Sequence, residues 1–408
     1  MPAHRRAEAA RPARLRVLLM LLPILATIVW TAHAGRPAAA PSTTVRLPFI
    51  TSPEPLVATA LGGSFNQVVA VADAGDDRLF IAQRDGVVKI LHPDGDITTF
   101  LDISDRVTVD GAELGFFDLV FDPGYLDATA LGYGQFYVTY SGYTSGAIVN
   151  YVARFRVSSD PDQADSSSEA WLVKLEQERP VHKGGGLDFD ETNRLLYVGF
   201  GDDWRRDLAQ SPDSLKGKIV MLDISGVPPE ATGDATNLVT PVVWALGFRN
   251  PWRIDVDPQS GAIFVGDVGE NHWEEVNVVS LAGPGQNFGW PCLEAADILP
   301  GSETKPACAD LSVFTPPVFA YAHSGGRCAI IGGDFARPAA FPDGHYLFGD
   351  MCSRDVWVML RSGSVWSVIP WGVLETDELF ASISADDNGI SYTGTLSVSG
   401  PIWRIDFP

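Results

Sequence analysis

Apolar residues in this chain come in short runs closed by turns, and one arrangement of them recurs. An apolar segment ends on an aspartate, a turn follows, and a second segment of aromatic and β-branched residues succeeds it. Leu119-Val-Phe-Asp-Pro leads to Gln135-Phe-Tyr-Val-Thr-Tyr, Leu187-Asp-Phe-Asp to Leu195-Leu-Tyr-Val-Gly-Phe, and Ile254-Asp-Val-Asp-Pro to Ala262-Ile-Phe-Val-Gly-Asp. Looser copies begin at Asp77, Gly344 and Gly389. Short β-branched runs bounded by Gly, Pro and Asp predict strands, and no segment holds a long 3.6-residue period. A pair of β-sandwich domains would explain the strands but not one unit recurring from end to end. Six copies predict an all-β, six-bladed β-propeller over residues 59–408. The polar stretch 158–168 is expected to be an exposed loop.

The N-terminus departs from this pattern. Arg5, Arg6, Arg11, Arg14 and Arg16 precede an apolar run over 17–30, and Ala32-His33-Ala34 follows as a small-x-small cleavage pattern. Residues 1–34 therefore read as an export signal, with 35–58 as a flexible lead-in rich in Pro, Ser and Thr. The run is shorter than the ~20 residues that span a bilayer, so a membrane link arises only if the segment stays uncleaved. The expected location is secreted or periplasmic.

Removing residues 1–34 sharpens the charge. That segment holds five arginines and one glutamate, so the remainder carries 24 basic against 50 acidic side chains, a formal net charge of −26. Such a surface argues against nucleic acid or anionic membrane as partner. Four cysteines, Cys292, Cys308, Cys328 and Cys352, remain in a chain bound for an oxidising compartment. Three pairings are possible. Cys292–Cys308 with Cys328–Cys352 is preferred, the first closing a short loop for which chain entropy gives roughly 3 kcal/mol. No Cys/His spacing supports zinc.

In a propeller the loops of all blades converge on one end of the channel, and residues just after the repeated strands tend to line it. Polar groups gather at four such places: Asp110 to Glu113; Val181-His182-Lys183 before three glycines; Asp202-Asp203-Trp204; and Arg249-Asn250 with the following Asp267 to Asn271. His182 is the candidate general base, because imidazole titrates near neutrality and the glycines are expected to let a ligand approach. The alternative for His182 is a loop cap bonded to a carbonyl. Arg249 and Asn250, extended by Pro251, place one group toward a site and one toward the scaffold. The alternative for Arg249 is a tie between two loops through carbonyls. The oxygens of Asp202, Asp203, Gly269 and Glu270 suit Ca²⁺, or else the acids cap turns. Trp204, Trp252, Trp273 and Trp290 could form a sugar platform, or blade packing.

GFRNPWRIDVDPQSG, VGDVGENHWEEVN and GQNFGWP resemble the motif of the soluble pyrroloquinoline-quinone-dependent glucose/sorbosone dehydrogenases, a family that includes aldose sugar dehydrogenases and the related domain of hedgehog-interacting proteins. DGAELGFFDLVFDP, HKGGGLDFD, SLKGKIVMLDI and GGDF with GHYLFGDMCSRDVW extend the resemblance from about residue 63 to 407. The resemblance implies a six-bladed propeller and oxidation of an aldose at C1. It implies pyrroloquinoline quinone and Ca²⁺ as cofactors, a small sugar as substrate and an external electron acceptor. His182 falls on the family's general base and Asp202 on the acid that orients it. Glu113, Arg249, Asn250 and Arg354 fall on cofactor contacts. Gly269 and Glu270 fall on positions whose backbone carbonyls hold the metal. Two positions depart from the family. Ile331 precedes Gly332-Gly333 where a Lys or Arg is usual, so that Arg327 or Arg337 would have to compensate, and Glu270 stands where dehydrogenases often have proline. WRIDVD and GDVGENHWEEVN resemble more closely the hedgehog-interacting-protein-like branch. Two main function classes follow: an exported quinone-dependent sugar dehydrogenase, and a non-catalytic calcium-containing propeller that binds carbohydrate or protein. A propeller lactonase is a third.

Overall fold

The computed structural model describes residues 56–337, 343–363, 365–386 and 388–406. The export signal 1–34 lies outside the described residues, as does all but the end of the 35–58 lead-in. Among the described residues no helix is long and apolar enough to cross a membrane.

Six sheets form the blades, antiparallel except for a short parallel edge strand, Gly233–Asp234 in one and Gln286–Asn287 in another. Their innermost strands are Val68–Asp73, Phe116–Phe121, Gly184–Asp190, Pro251–Asp257, Ile330–Ala336 and Ser384–Ala385. Each packs on the next, and the last packs on the first, so the six strands close a ring around a channel. Blade 6 is assembled from both ends of the described chain: Val57–Ala60 pairs antiparallel with Ile402–Asp406, Val57 opposite Asp406. The first strand thus begins two residues before the propeller boundary expected at 59. Each of the six repeated segments supplies the second strand of one blade. Both faces of these strands are buried between neighbouring blades, which is why they read as continuous aromatic and β-branched runs. Phe80, Phe100, Phe121, Phe136 and Phe155 fill the space between blades 1 and 2, and Phe264, Tyr346, Phe348 and Trp357 that between blades 4 and 5.

The aspartates of the inner strands stitch blade to blade. Asp118 accepts from Leu187 N–H (3.0 Å), Asp188 from Val256 N–H (2.6 Å), Asp255 from Phe335 N–H (3.0 Å) and Asp334 from Ala385 N–H (2.7 Å). A carboxylate thereby satisfies a backbone donor that no strand partner reaches. Five of the inner strands carry a register shift near their first residue. Bulges of this kind re-aim side chains at a sheet rim.

Three expectations need correction. The glycines after His182 serve packing rather than ligand approach. A Cβ on Gly185 would meet the Phe117 ring at 2.6 Å, and one on Gly186 would meet the backbone N of Ile254 at 2.8 Å. The stretch 158–168 is a loop only in its first half, since the strand Ala164–Gln177 begins within it and Ser168 is buried, its hydroxyl accepting from Arg156 N–H. Ile331 is fully buried among Leu347, Val358 and Ile383 between blades 5 and 6, a place for an apolar side chain and not for a cation. Both disulfides pair as preferred, Cys292–Cys308 and Cys328–Cys352.

Candidate functional site

The two turns at residues 181–184 and 201–204 bring His182 and Asp202 together. His182 lies at φ +54°, Asp203 at +55° and Trp204 at +61°, a left-handed conformation that non-glycine residues adopt at a cost. What holds them there is the Asp202-Asp203 pair. Fully buried Asp202 accepts from His182 Nδ1 (2.7 Å) and Trp204 N–H (2.8 Å) with one oxygen, and from Trp290 Nε1 (2.8 Å) with the other. Asp203, also fully buried, accepts from Lys183 Nζ (2.6 Å) and Arg179 N–H (3.0 Å) on one side. On the other it accepts from Lys216 Nζ (2.6 Å) and Glu178 N–H (2.6 Å). Burial alone would raise Asp203, but the hydrogen bonds from Lys183 and Lys216 outweigh it and hold its carboxyl below the usual range. One aspartate grips the imidazole and its neighbour grips the segment that delivers it.

With Nδ1 donating to a carboxylate, Nε2 is left as the acceptor nitrogen, and it has no hydrogen-bond partner among the described residues. His182 is therefore not a cap on a carbonyl. Its ring is buried and covered by Trp204, with centroids 5.0 Å apart and planes tilted by 34°.

Glu113 and Asn250 complete the frame. Glu113 accepts from His182 N–H (2.6 Å) and from Asn250 Nδ2 (3.3 Å), while Asn250 Oδ1 accepts from Gly184 N–H (2.9 Å). Asp267 receives the N–H groups of both Arg249 (3.0 Å) and Asn250 (2.7 Å). The Arg249 guanidinium donates to the Val268 carbonyl (2.9 Å) and lies 5.8 Å over the Trp290 ring. It is thus partly the loop tie that irregular backbone needs. Its Nε, however, is a buried donor without a partner among the described residues.

Beside these groups is a cavity of about 250 Å³ lined by Glu113, Asn250, Arg84, Phe117, Trp252 and Met351, at the end where the inner strands begin. Arg84 was not singled out in the sequence. It follows a repeated strand, the position that propeller geometry directs to the channel mouth, and this was the available signal. Trp290, for which a sugar platform and blade packing were both open, is buried, and its indole N–H completes the shell of Asp202.

Calcium was expected on Gly269 and Glu270, with Asp202 and Asp203 as further oxygen ligands. Both aspartates are already filled with donors, so they are not free ligands. The Glu270 carboxylate pairs with Arg206. The N–H groups of Glu270, Asn271, His272 and Trp273 converge on one oxygen of Glu294, at 2.7 to 3.2 Å. In a trans peptide C=O points opposite to N–H, so the Gly269 and Glu270 carbonyls face away from that carboxylate. Glu294 had no sequence signal as an organiser of this loop. Among the described residues no group of three or more His, Cys, Asp or Glu side chains is arranged for a metal. Any cation held here would rest on carbonyls.

Other residues fall elsewhere. Arg354 donates to the Thr376 carbonyl and lines a different groove with Trp371 and Leu374. Arg327 pairs with Asp355 (2.7 Å), and Arg337 with Asp257 (2.6 Å) toward the far end of the channel. In these positions none of the three is placed to supply the cation that Ile331 lacks.

The family model described as Glucose / Sorbosone dehydrogenase matches residues 65–371. HIPL1 protein of Arabidopsis thaliana is 27% identical over 248 residues, 53% of this chain and 35% of the relative. Aldose sugar dehydrogenase YliI of Escherichia coli (strain K12) is 27% identical over 230 residues, 55% of this chain and 60% of the relative. Each match covers less than two thirds of the relative's own length. The PQQ-bound form of aldose sugar dehydrogenase from Streptomyces coelicolor superposes with a TM-score of 0.65 at 18% identity, covering 87% of this chain and 99% of that one, and so shares the fold.

Proposed function

The chain belongs to the Glucose / Sorbosone dehydrogenase family, and from that premise we propose that it is an exported sugar dehydrogenase that oxidises the C1 hydroxyl of an aldose to the lactone. The observation that carries the reading is His182, held through Nδ1 by a buried carboxylate at 2.7 Å with Nε2 unspent. Asp202 fixes the tautomer, so Nε2 takes the hydroxyl proton and the carboxylate stabilises the imidazolium that results. Asp203 fixes the backbone from which the ring projects.

Pyrroloquinoline quinone and Ca²⁺ are the cofactors we assign, and the residues present fit them. Arg249 offers a buried unpartnered donor, Asn250 and Glu113 line an adjoining cavity with aromatic walls, and Arg84 adds a cation at its edge. The carbonyls of Gly269 and Glu270 would hold the metal. Bound there, the quinone supplies an acceptor for the C1 hydride and the metal a Lewis acid. An external electron acceptor would be the second partner that this chemistry requires. The two disulfides support an extracytoplasmic location.

A second reading, a non-catalytic propeller that binds carbohydrate or protein, is favoured by one observation: Ile331 lies in the core and neither Arg327 nor Arg337 replaces a cation at the cavity. Titration of the apo-protein with the quinone and Ca²⁺, followed by dye reduction over a panel of aldoses, separates the two. Saturable binding and sugar-dependent reduction that disappears in His182→Ala support the dehydrogenase. Absence of quinone binding at micromolar concentration supports the binding propeller.

A further inference from the structure

Trp204 carries two local costs, exposure of a large apolar ring and a left-handed backbone. It is 55% exposed, whereas every other described tryptophan is buried or half-buried. Its backbone sits at φ +61° directly after Asp203 at +55°, so two successive non-glycine residues are left-handed. The strain is imposed by the same carboxylates that build the site. Trp204 N–H is held by Asp202 at 2.8 Å, and the preceding residue is locked by Lys183 and Lys216. The result is an indole fixed against the base, 5.0 Å from the imidazole, with more than half its surface facing solvent.

We infer that Trp204 is the stacking platform that holds the sugar ring against His182 and selects glucose-configured aldoses. The inference rests on the dehydrogenase reading for the role of His182. An aromatic face attracts the C–H face of a pyranose, and burial of both apolar surfaces drives the contact. The C1–H bond must be free to break, so the indole covers the ring face opposite to it. On that face a β-glucopyranose presents axial C–H bonds at C2 and C4. Galactose places its axial O4 there and mannose its axial O2, and each of these hydroxyls would lose water against the indole without gaining a partner. The platform therefore discriminates by configuration, while Nε2 of His182 receives the O1 proton.

The test combines steady-state kinetics on D-glucose, D-galactose and D-mannose with saturation-transfer NMR of the same sugars on quinone-free protein, in wild type, Trp204→Ala and Trp204→Phe. Trp204→Ala is expected to raise KM for glucose about tenfold, the equivalent of one aromatic contact, with kcat within about twofold. The preference for glucose over its two epimers narrows, and Trp204→Phe recovers most of both losses. Transfer to glucose is expected in wild type and sharply reduced in Trp204→Ala. Unchanged KM and unchanged transfer in Trp204→Ala overturn the proposal, as does a fall in kcat at constant KM, which would make the indole a cover for His182 instead. If wild type turns over none of the sugars while glucose transfer still depends on Trp204, the dehydrogenase reading fails and the platform stands. If wild type shows no transfer with any of the three sugars, the platform fails.

Discussion

The two ends of the channel hold buried carboxylates in opposite circumstances. At the end where the inner strands begin, Asp202 and Asp203 are saturated by an imidazole, an indole N–H, two ammonium groups and backbone amides. Toward the other end, Asp118, Asp188 and Asp334 line a cavity of about 420 Å³, with Asp255 beside them; of the two arginines that line it, Arg253 pairs with Asp118 and Arg337 with Asp257. Burial pushes all four carboxyls up, and like-charge neighbours add to it for Asp188, Asp255 and Asp334. The same side chain is thus used in two ways. Where Lys183 and Lys216 are supplied, Asp203 is held below the usual carboxylate range and fixes the turn that carries His182. Toward the other end burial outweighs the partners, so the carboxyls are pushed up while they bond blade to blade. The difference follows from whether cationic partners or burial dominates around each carboxyl.

The largest effect should come from breaking the first arrangement at its centre. Asp202→Asn keeps shape but no longer enforces the Nδ1–H tautomer, and kcat should fall by about 10²–10⁴ with little change in melting temperature. Steady-state dye reduction beside a thermal melt checks this. Unchanged kcat would sever Asp202 from the chemistry. Asp203→Leu leaves Lys183 and Lys216 buried without their anion, and urea unfolding should show a loss of about 3–5 kcal/mol, the usual cost of breaking a buried pair from one side.

The pH dependence of stability sharpens the comparison because its sign differs between the ends. The folded-state pKa values of Asp188, Asp255 and Asp334 lie above those of the unfolded chain, so the native protein holds protons that the unfolded chain releases. Stability from this end is full at acid pH and is lost as pH rises from the ordinary carboxylate value of about 4 toward about 7, where burial places Asp334. Asp203 is lowered, so its contribution is present above the ordinary range and is lost as pH falls through its depressed pKa. Urea midpoints measured from pH 4 to 8 should therefore decline less steeply in Asp334→Asn than in wild type. Identical slopes would remove Asp334 from the account. The smallest effect expected is in Glu270→Ala, which removes a partly exposed ion pair with Arg206 and should cost at most about 1 kcal/mol. If Ca²⁺ binds through carbonyls, calorimetry should show its affinity nearly unchanged in this variant. A large loss would place the Glu270 carboxylate itself on the metal.

Much of the propeller was legible because its unit repeats. Leu187-Asp-Phe-Asp and Ile254-Asp-Val-Asp expose both the strand and the inward aspartate. His182, Asp202, Glu113 and Asn250 were also legible, as polar groups at strand ends, and the structure brings these four together. Arg354 was not, because a motif gives position along the chain and not the direction of a guanidinium. Glu294 and Lys216 were missed for a related reason: each acts on a residue distant in sequence, and neither has a local pattern to mark it. The glycines after His182 misled, since a need for close approach looks the same whether the visitor is a ligand or Phe117.

The sequence by itself determined the period of the strands, the number of blades, the cysteines available for pairing and a short set of polar candidates that includes His182. Those are properties of short segments, set by side-chain alternation and turn chemistry. Only the tertiary structure decided which carboxylates keep their charge, which arginines reach the cavity and which tryptophan meets solvent. Those depend on what other blades place within a few ångströms, where burial and partner charges compete over distances that chain order does not encode.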